Sequence, residues 1–311
     1  MRRIFILFCL VALAVVSICA RPQRQADGPL RFGLLATTEA LPFVVAYDMG
    51  FYQEEGVEVE LIIFANPQER DAALQAGRLD GVISDLLASF YFADAGFDYR
   101  ITSLTSGRFG IVASPQSGIT RLEELRGRSI GFFPNTMTQH IADTLLEEAG
   151  VSMFDYEPVA VPNILVRFEM LMNGHVDAAV VPEPFVTTAA AQGATVLAST
   201  DDTDLALGTF YFSRTVLNNR TNEVTAFHRA YYRAVREINA NPDAFRDHLV
   251  ERINFPVAVR DQFQFYTFER PVLPTEQQVR RASDWLMARD LLDTRRITRA
   301  DLIDARPTTG W

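Results

Sequence analysis

The chain contains no lysine, so all 29 of its basic side chains are arginine. This absence excludes a lysine Schiff base, a phosphate-binding P-loop lysine and pyridoxal chemistry. The only two cysteines, Cys9 and Cys19, lie near the N-terminus, and the four histidines are far apart in the sequence. The rest of the chain therefore offers no disulfide, no thiolate ligand and no cysteine nucleophile, and we expect no metal site.

Positive charge is also scarce overall, since 39 acidic residues against 29 basic ones give a net charge of −10. Affinity for nucleic acid comes mostly from neutralising phosphates, so an acidic chain with no basic run is not expected to have a nucleic-acid partner. Hydrophobic residues make up 48% and charged residues 22% of the chain, fractions that exclude disordered and fibrous classes. A length of 311 residues is enough for two domains, at roughly 100–200 residues each.

Residues 1–20 have the layout of a secretory signal peptide: two arginines, a long apolar run, and a polar segment after Ala20. Cys19 resembles the acylated cysteine of a bacterial lipoprotein, although Ile18 departs from the small residue usual before it. Export to the periplasm or cell surface is therefore expected, with cleavage after Ala20 or lipidation of Cys19 as the alternatives. Contact with a membrane would come only through that possible lipid anchor.

Short apolar strands alternate with capped helices through the first two thirds of the chain. Strands are predicted at Arg31–Leu35, Val57–Phe64, Leu79–Ile83, Ser129–Phe133, Val176–Val181 and Thr195–Ala198. Helices are predicted to follow Asn66, Thr136 and Asn163 and to end at Gly77, Gly150 and Gly174. This alternation predicts an α/β protein with mainly parallel sheets covered by helices. From Thr221 onward the pattern is almost wholly helical.

One segment of the sequence is repeated. The pattern Leu74-x-x-Gly77-x-Leu79-Asp80-Gly81 returns 97 residues later as Leu171-x-x-Gly174-x-Val176-Asp177-Ala178. The loop that begins at Gly33 likewise returns at Gly131. These matches occur in the same order and at nearly the same spacing, so they indicate that one βαβαβ unit occurs twice. The repeated aspartates are interpreted as structural, pinning a turn before a buried strand.

Two such units imply two lobes with a ligand cleft between them, because ligands of open α/β sheets bind outside the carboxyl ends of the strands. We predict that residues 30–112 and 209–311 form lobe one and that residues 113–208 form lobe two. The chain would cross between the lobes near Arg108–Ser114 and Leu207–Ser213, and these crossings would act as a hinge. A monomer is expected.

The candidate ligand contacts lie in the loops at these strand ends and at the crossings. They are Thr37, Thr38, Glu39, Ser84, Asp85, Arg108, Thr136, Thr138, Glu183 and Tyr211. Each also has an ordinary structural interpretation: the threonines and Asp85 could cap helices or form turns, Glu183 could cap a helix, Arg108 could form a surface ion pair, and Tyr211 could pack in a core. No catalytic residue is assigned.

Several segments resemble the periplasmic substrate-binding proteins of the nitrate/sulfonate/taurine and thiamine-pyrimidine (NMT1/THI5-like) group. They are Leu41–Tyr52, Ala73–Gly81, Leu122–Gly131 and Asp177–Pro184. The resemblance implies a two-lobed type II periplasmic binding protein fold, no cofactor, and a receptor that hands a small molecule to the permease of an ABC importer. The alternatives are a ligand sensor that docks on a membrane receptor and an enzyme of the thiamine-pyrimidine synthase type. Those enzymes carry a Cys-rich motif and a reactive histidine, whereas this chain has no cysteine after Cys19.

Two sets of candidates point to different solutes. Arg108 and the helix start at Thr136 suit a sulfonate, nitrate or similar oxyanion. Asp85 and Glu183 suit a ligand rich in N–H donors, such as an aminopyrimidine. A carboxylate close to a small oxyanion weakens its binding, so both sets cannot dominate the recognition of one small anion. We favour a heterocyclic vitamin precursor such as a thiamine pyrimidine.

Overall fold

The computed structural model describes residues 28–201, 203, 205 and 207–309. The predicted signal peptide and Cys19 lie outside these residues. Within the described part of the chain, no helix combines the length and the apolar character that crossing a membrane requires.

Sheet one contains five strands. They are β1 (Leu30–Leu35), β2 (Val59–Phe64), β3 (Gly81–Asp85), β4 (Tyr99–Leu104) and β10 (Gly208–Ser213). Their order across the sheet is β2-β1-β3-β10-β4. Strand β1 runs parallel to both of its neighbours, whereas β10 runs antiparallel to both of its own.

Sheet two repeats this arrangement. Its strands are β5 (Phe109–Ala113), β6 (Ser129–Phe132), β7 (Glu157–Ala160), β8 (Ala178–Pro182) and β9 (Thr195–Ser199). They lie in the order β7-β6-β8-β5-β9, with β6 parallel and β5 antiparallel to their neighbours. Each of the six predicted strands is present, and its observed bounds lie within two residues of the predicted ones.

Helices cover both sheets. They are α1 (Leu41–Asp48), α2 (Phe51–Glu54), α3 (Pro67–Gln75), α4 (Leu86–Asp94), α5 (Met137–Glu148), α6 (Ile164–Met172), α7 (Phe185–Ala191), α8 (Arg214–Asn219), α9 (Thr221–Ala240), α10 (Arg246–Ile253), α11 (Glu276–Ala288) and α12 (Arg299–Leu302). The predicted caps form, since the Asn66 side chain accepts a hydrogen bond from the Glu69 amide at 2.9 Å and the Asn163 side chain accepts one from the Val166 amide at 3.0 Å.

The repeated aspartates make the same contact in each sheet. Asp80 Oδ2 accepts a hydrogen bond from the Arg31 amide at 2.8 Å, and Asp177 Oδ2 accepts one from the Ser129 amide at 2.9 Å. In both cases the aspartate precedes the third strand of its unit and bonds to the first or second residue of the first strand. Strands β3 and β8 begin directly after these aspartates, at 81 and 178 rather than at the predicted 79 and 176.

The chain crosses from sheet one to sheet two between Leu104 and Phe109, and it returns between Ser199 and Gly208. The sequence predicted crossings near Arg108–Ser114 and Leu207–Ser213, with the first lobe boundary between residues 112 and 113. All of β5 bonds to β8 and β9, so the first crossing occurs at least four residues earlier. Below, lobe one and lobe two denote each sheet with the helices packed on it.

Helix α9 carries an apolar face of Val224, Phe227, Tyr231, Val235 and Ile238, all buried, that forms part of the core of lobe one. The Phe227 ring centroid lies 4.7 Å from that of Phe32 in β1, and the Tyr231 centroid lies 4.7 Å from that of Phe43 in α1. Phe227 and Tyr231 of α9 are therefore core residues.

Candidate functional site

A pocket opens between the two sheets where several strands end. Both lobes contribute to its wall, which is formed by Leu35, Thr37, Glu39, Pro67, Arg70, Ile83, Ser84, Asp85, Phe109, Phe133, Thr136, Met137, Thr138, Pro162, Ile164, Arg167 and Pro182. Most of these residues stand at the carboxyl ends of β1, β3, β6, β7 and β8 or in the segments that follow them. This is the position in which open α/β sheets bind ligands.

Glu39 supplies a buried carboxyl group to the lobe-one wall. Thr105 Oγ1 donates a hydrogen bond to Glu39 Oε1, and a Cβ atom at Gly107 would lie 2.6 Å from that oxygen. Thr105 and Gly107 belong to the first crossing. Because Gly107 has no side chain, this crossing can pack directly against the Glu39 carboxyl group. Burial raises the pKa of Glu39 to about 7, although the hydrogen bond from Thr105 and the charge of Arg70 favour the ionised form.

Asp85 ends β3 and caps the helix that follows, since its Oδ1 accepts a hydrogen bond from the Ala88 amide at 2.9 Å. Burial raises its pKa to about 6, and the bond from Ala88 and the nearby Arg70 partly oppose that shift. Asp85 therefore both caps a helix and lines the pocket, the two roles that the sequence left as alternatives. Ser84 lies beside it and accepts a hydrogen bond from Arg70 Nη2 at 3.1 Å.

Arg70 lies on α3 and is only 4% exposed. Its Nη2 lies 2.8 Å from Asp71 Oδ1, so its charge is neutralised by an adjacent carboxylate. Arg70 was not among the candidates from the sequence, because an arginine inside a polar helix usually faces solvent.

Arg167 lies on α6 and is 2% exposed. Its Nη1 donates a hydrogen bond to the Val161 carbonyl oxygen at 2.8 Å, whereas its Nε is buried without an acceptor. Burial alone lowers its pKa, to about 10, so the group remains charged at neutral pH. Arg167 was not among the candidate ligand contacts from the sequence either. The available signal was a single arginine among the apolar residues that dominate Ile164–Met172.

Thr136 and Thr138 bring the N-terminus of α5 to the lobe-two wall. Thr136 Oγ1 donates a hydrogen bond to the Phe133 carbonyl oxygen at 2.7 Å, and Thr138 Oγ1 accepts one from the Phe133 amide at 3.0 Å. Both hydroxyl groups therefore hold the loop after β6. Thr37 lies in the opposite wall, directly before a short 3₁₀ helix over Thr38–Ala40.

Four candidates from the sequence lie outside the pocket wall. Thr38 Oγ1 hydrogen-bonds the Tyr266 hydroxyl at 2.9 Å, and Arg108 lies over the ring of Tyr266 at 4.5 Å while it pairs with Asp201. Glu183 accepts hydrogen bonds from the Thr187 amide at 3.1 Å and the Thr187 hydroxyl at 2.9 Å, so it caps α7.

The fourth, Tyr211, is buried in the core, and its hydroxyl donates to the Asp85 carbonyl oxygen. Tyr211 therefore supports the strand end that presents Asp85. Within the described ranges, no group of three or more histidine, cysteine, aspartate or glutamate side chains is placed to hold a metal ion.

The family model for "NMT1/THI5 like" proteins matches residues 37–245, which is more than half of the chain. The chain belongs to the NMT1/THI5-like family. A relative from Schizosaccharomyces pombe, a 4-amino-5-hydroxymethyl-2-methylpyrimidine phosphate synthase, is 25% identical over 146 residues, which are 46% of this chain and 41% of that protein. The chain spans less than half the length of the curated relatives it matches.

Solved structures of similar shape include periplasmic binding proteins and the desulfurization enzyme DSZB, which has a TM-score of 0.68 at 16% identity over 90% of this chain and 98% of that one. The alkanesulfonate-binding protein SsuA from Xanthomonas axonopodis pv. citri, bound to MOPS, has a TM-score of 0.73 at 20% identity over 86% of this chain and 96% of that one. The aliphatic sulphonate binding protein SsuA from Escherichia coli has a TM-score of 0.74 at 16% identity over 89% of this chain and 99% of that one. The predicted two-lobed periplasmic binding protein fold is therefore confirmed.

Proposed function

We propose that this protein is an exported solute receptor that captures a small molecule between its lobes and delivers it to the permease of an ABC importer. The observation that carries the proposal is the pocket whose wall comes from both sheets at their strand ends. Because the lobes are joined by two crossings, a ligand that touches both walls stabilises the closed form over the open one.

The solute class we favour is a heterocycle with N–H donors, such as a thiamine pyrimidine. Glu39 and Asp85 place a buried and a partly buried carboxyl group in the wall, and ionised carboxylates accept hydrogen bonds from such donors. The family name and the pyrimidine named for the yeast relative are consistent with this class.

An oxyanion receptor is the second candidate, and the observation that favours it is the N-terminus of α5 in the lobe-two wall. The solved relatives named for sulfonates share the fold. A bare inorganic anion would, however, also face the carboxyl groups of Glu39 and Asp85, which would repel it.

An enzyme like the yeast synthase is a third class. Neither histidine nor cysteine occurs in the pocket wall of the described residues, and the chain has no lysine to form a Schiff base. His228 is buried elsewhere, with its Nε2 2.9 Å from Thr102 Oγ1. These features support a binding role rather than covalent catalysis.

Native mass spectrometry of the protein purified without denaturant tests the proposal. We expect one bound small molecule per chain that is released unchanged on unfolding. Asp85→Asn keeps the side-chain size and the capping oxygen, and it should reduce the occupancy of a ligand bound through N–H donors.

If the protein chemically converts the released molecule when the two are incubated together, this would support the enzyme and contradict the receptor. An inorganic anion as the occupant, with Asp85→Asn neutral or more fully occupied, would favour the second candidate. Permease and ATPase genes beside this gene would support delivery to an importer, whereas kinase or cyclase genes would favour a sensor.

A further inference from the structure

We propose that the solute is bipolar, with an oxyanion group bound by Arg167 of lobe two and N–H donors bound by Glu39 and Asp85 of lobe one. The inference rests on the proposed receptor function and narrows its ligand. The expected class is an amino-substituted heterocycle that carries a carboxylate, sulfonate or phosphate group.

Arg167 carries a positive charge that has no carboxylate partner in the described part of the chain. Arg167 is one of the residues that line the pocket, is 2% exposed, and forms no ion pair with a carboxylate among the described residues. One bond to the Val161 carbonyl oxygen uses one of its five N–H donors, and Nε is left without an acceptor. Arg70, the other arginine in the wall, has Asp71 as its counter-charge.

A buried charge without a partner destabilises a folded protein unless something neutralises it. Arg167 Nη1 bonds the Val161 carbonyl oxygen, and its Cγ packs close to Gly131. An anionic group of a ligand in the pocket would provide both the missing charge and the missing acceptor. A guanidinium holds carboxylate, sulfonate and phosphate oxygens with paired hydrogen bonds.

Helix α5 begins in the lobe-two wall of the pocket, to which Arg167 also belongs. Its 12 residues begin at Met137 in the same wall, so its free amide groups and the positive end of its dipole reinforce an anion site that Arg167 already marks. Lobe two therefore presents positive charge to the pocket.

Lobe one contributes the acidic side chains of Glu39 and Asp85 to the pocket wall, and the positive charge of its Arg70 is balanced by Asp71. The acidic side chains of the pocket wall thus lie in lobe one, and the arginine without an ion-pair partner among the described residues lies in lobe two. The sequence left open whether carboxylates or oxyanion-binding groups dominate recognition. Both can contribute if the N–H donors of one ligand face lobe one and its anionic group faces lobe two. Closure of the lobes would bring both ends into contact at once.

Calorimetry with three matched probes tests the inference: 4-aminopyrimidine-5-carboxylate, 4-aminopyrimidine without the carboxylate, and pyrimidine-5-carboxylate without the amino group. Inorganic phosphate is the fourth probe. We expect the bipolar probe to bind wild-type protein at least about 10-fold more tightly than either single-ended probe, the effect of one charged hydrogen-bonded contact.

The test variant is Arg167→Met, which keeps an unbranched stem and removes the charge. It should weaken the bipolar probe about 10- to 100-fold and leave 4-aminopyrimidine unchanged. Arg121→Gln is the matched control, because its ion pair with Glu124 is exposed and lies outside the pocket wall, and it should bind all probes like wild type. Without ligand, Arg167→Met should melt at the same temperature as wild type or higher, since it removes an unmatched buried charge.

Each outcome decides a separate point. Equal binding of 4-aminopyrimidine with and without its carboxylate, unaffected by Arg167→Met, would overturn the bipolar ligand and leave the receptor intact. Phosphate binding that is lost in Arg167→Met, with no binding of any pyrimidine, would keep the anion site and reject the heterocycle.

A variant that melts well below wild type and binds every probe normally would give Arg167 a structural role and overturn the inference. So would wild-type protein that binds neither phosphate nor a carboxylate probe. If Arg167→Met does not fold, Arg167→Lys retains the charge without the planar fork, and it should still lose most of the preference for the bipolar probe.

Discussion

Glu39 is the residue at which the pocket and the crossing between the lobes meet. It is buried against Thr105 and Gly107, and its pKa is raised from 4.5 to about 7, mainly by burial. The neutral form therefore contributes stability that is fully present below about pH 4.5 and is lost as the pH rises through about 7.

Glu39→Gln is permanently neutral, so we predict a stability difference that depends on pH. The melting temperature of the ligand-free variant should rise relative to wild type as the pH increases from 5 to 8. Thermal unfolding followed by circular dichroism across that range measures the difference, with the exposed Glu60→Gln as the control. A difference that stays constant with pH would contradict a raised pKa for Glu39.

At the scale of elements, α11 connects the C-terminal part of the chain to lobe two. Its Trp285 Nε1 donates a hydrogen bond to Asp143 Oδ2 on α5 at 3.2 Å, and Arg289 Nη2 lies 2.7 Å from the same oxygen. The Tyr156 hydroxyl donates to Asp143 Oδ1 at 2.6 Å. One buried carboxylate therefore satisfies three donors, two from α11 and its C-cap and one from Tyr156 just before β7.

Asp143→Ala should lower the free energy of unfolding by up to about 3–5 kcal/mol, because it leaves the partly buried Arg289 charge without its partner. Urea unfolding measures the change. The control is Arg121→Gln, which removes an exposed ion pair with Glu124 and should cost about 0–1 kcal/mol. Equal effects of the two substitutions would show that the Asp143 cluster does not hold α11 on lobe two.

At the scale of the whole molecule, ligand binding should close the lobes about the two crossings between the sheets. Small-angle scattering with the co-purified solute should give a smaller radius of gyration than the ligand-free protein, because the pocket wall is shared between the lobes. Asp85→Asn, if it lowers occupancy, should compact less at the same solute concentration. An unchanged radius at full occupancy would contradict hinge closure.

The sequence by itself determined the two α/β lobes and their repeat. Strand periodicity, helix caps at Asn66 and Asn163, and the paired Asp80 and Asp177 are local signals, and the bonds that they predict form within or between neighbouring elements. Such signals do not depend on how distant elements pack. For the same reason the loops after β1, β3 and β6 could be recognised as the edge of a cleft.

Only the tertiary structure decided which side chains form the pocket wall. Arg70 and Arg167 lie within helices, and the rotation of each helix against its sheet determines whether a side chain faces solvent or the cleft. Glu183 and Arg108 were plausible contacts by their place in the chain, but Thr187 and Asp201 occupy their polar atoms instead. A ligand-facing role depends on which neighbours compete for a side chain, and the folded structure alone brings those neighbours together.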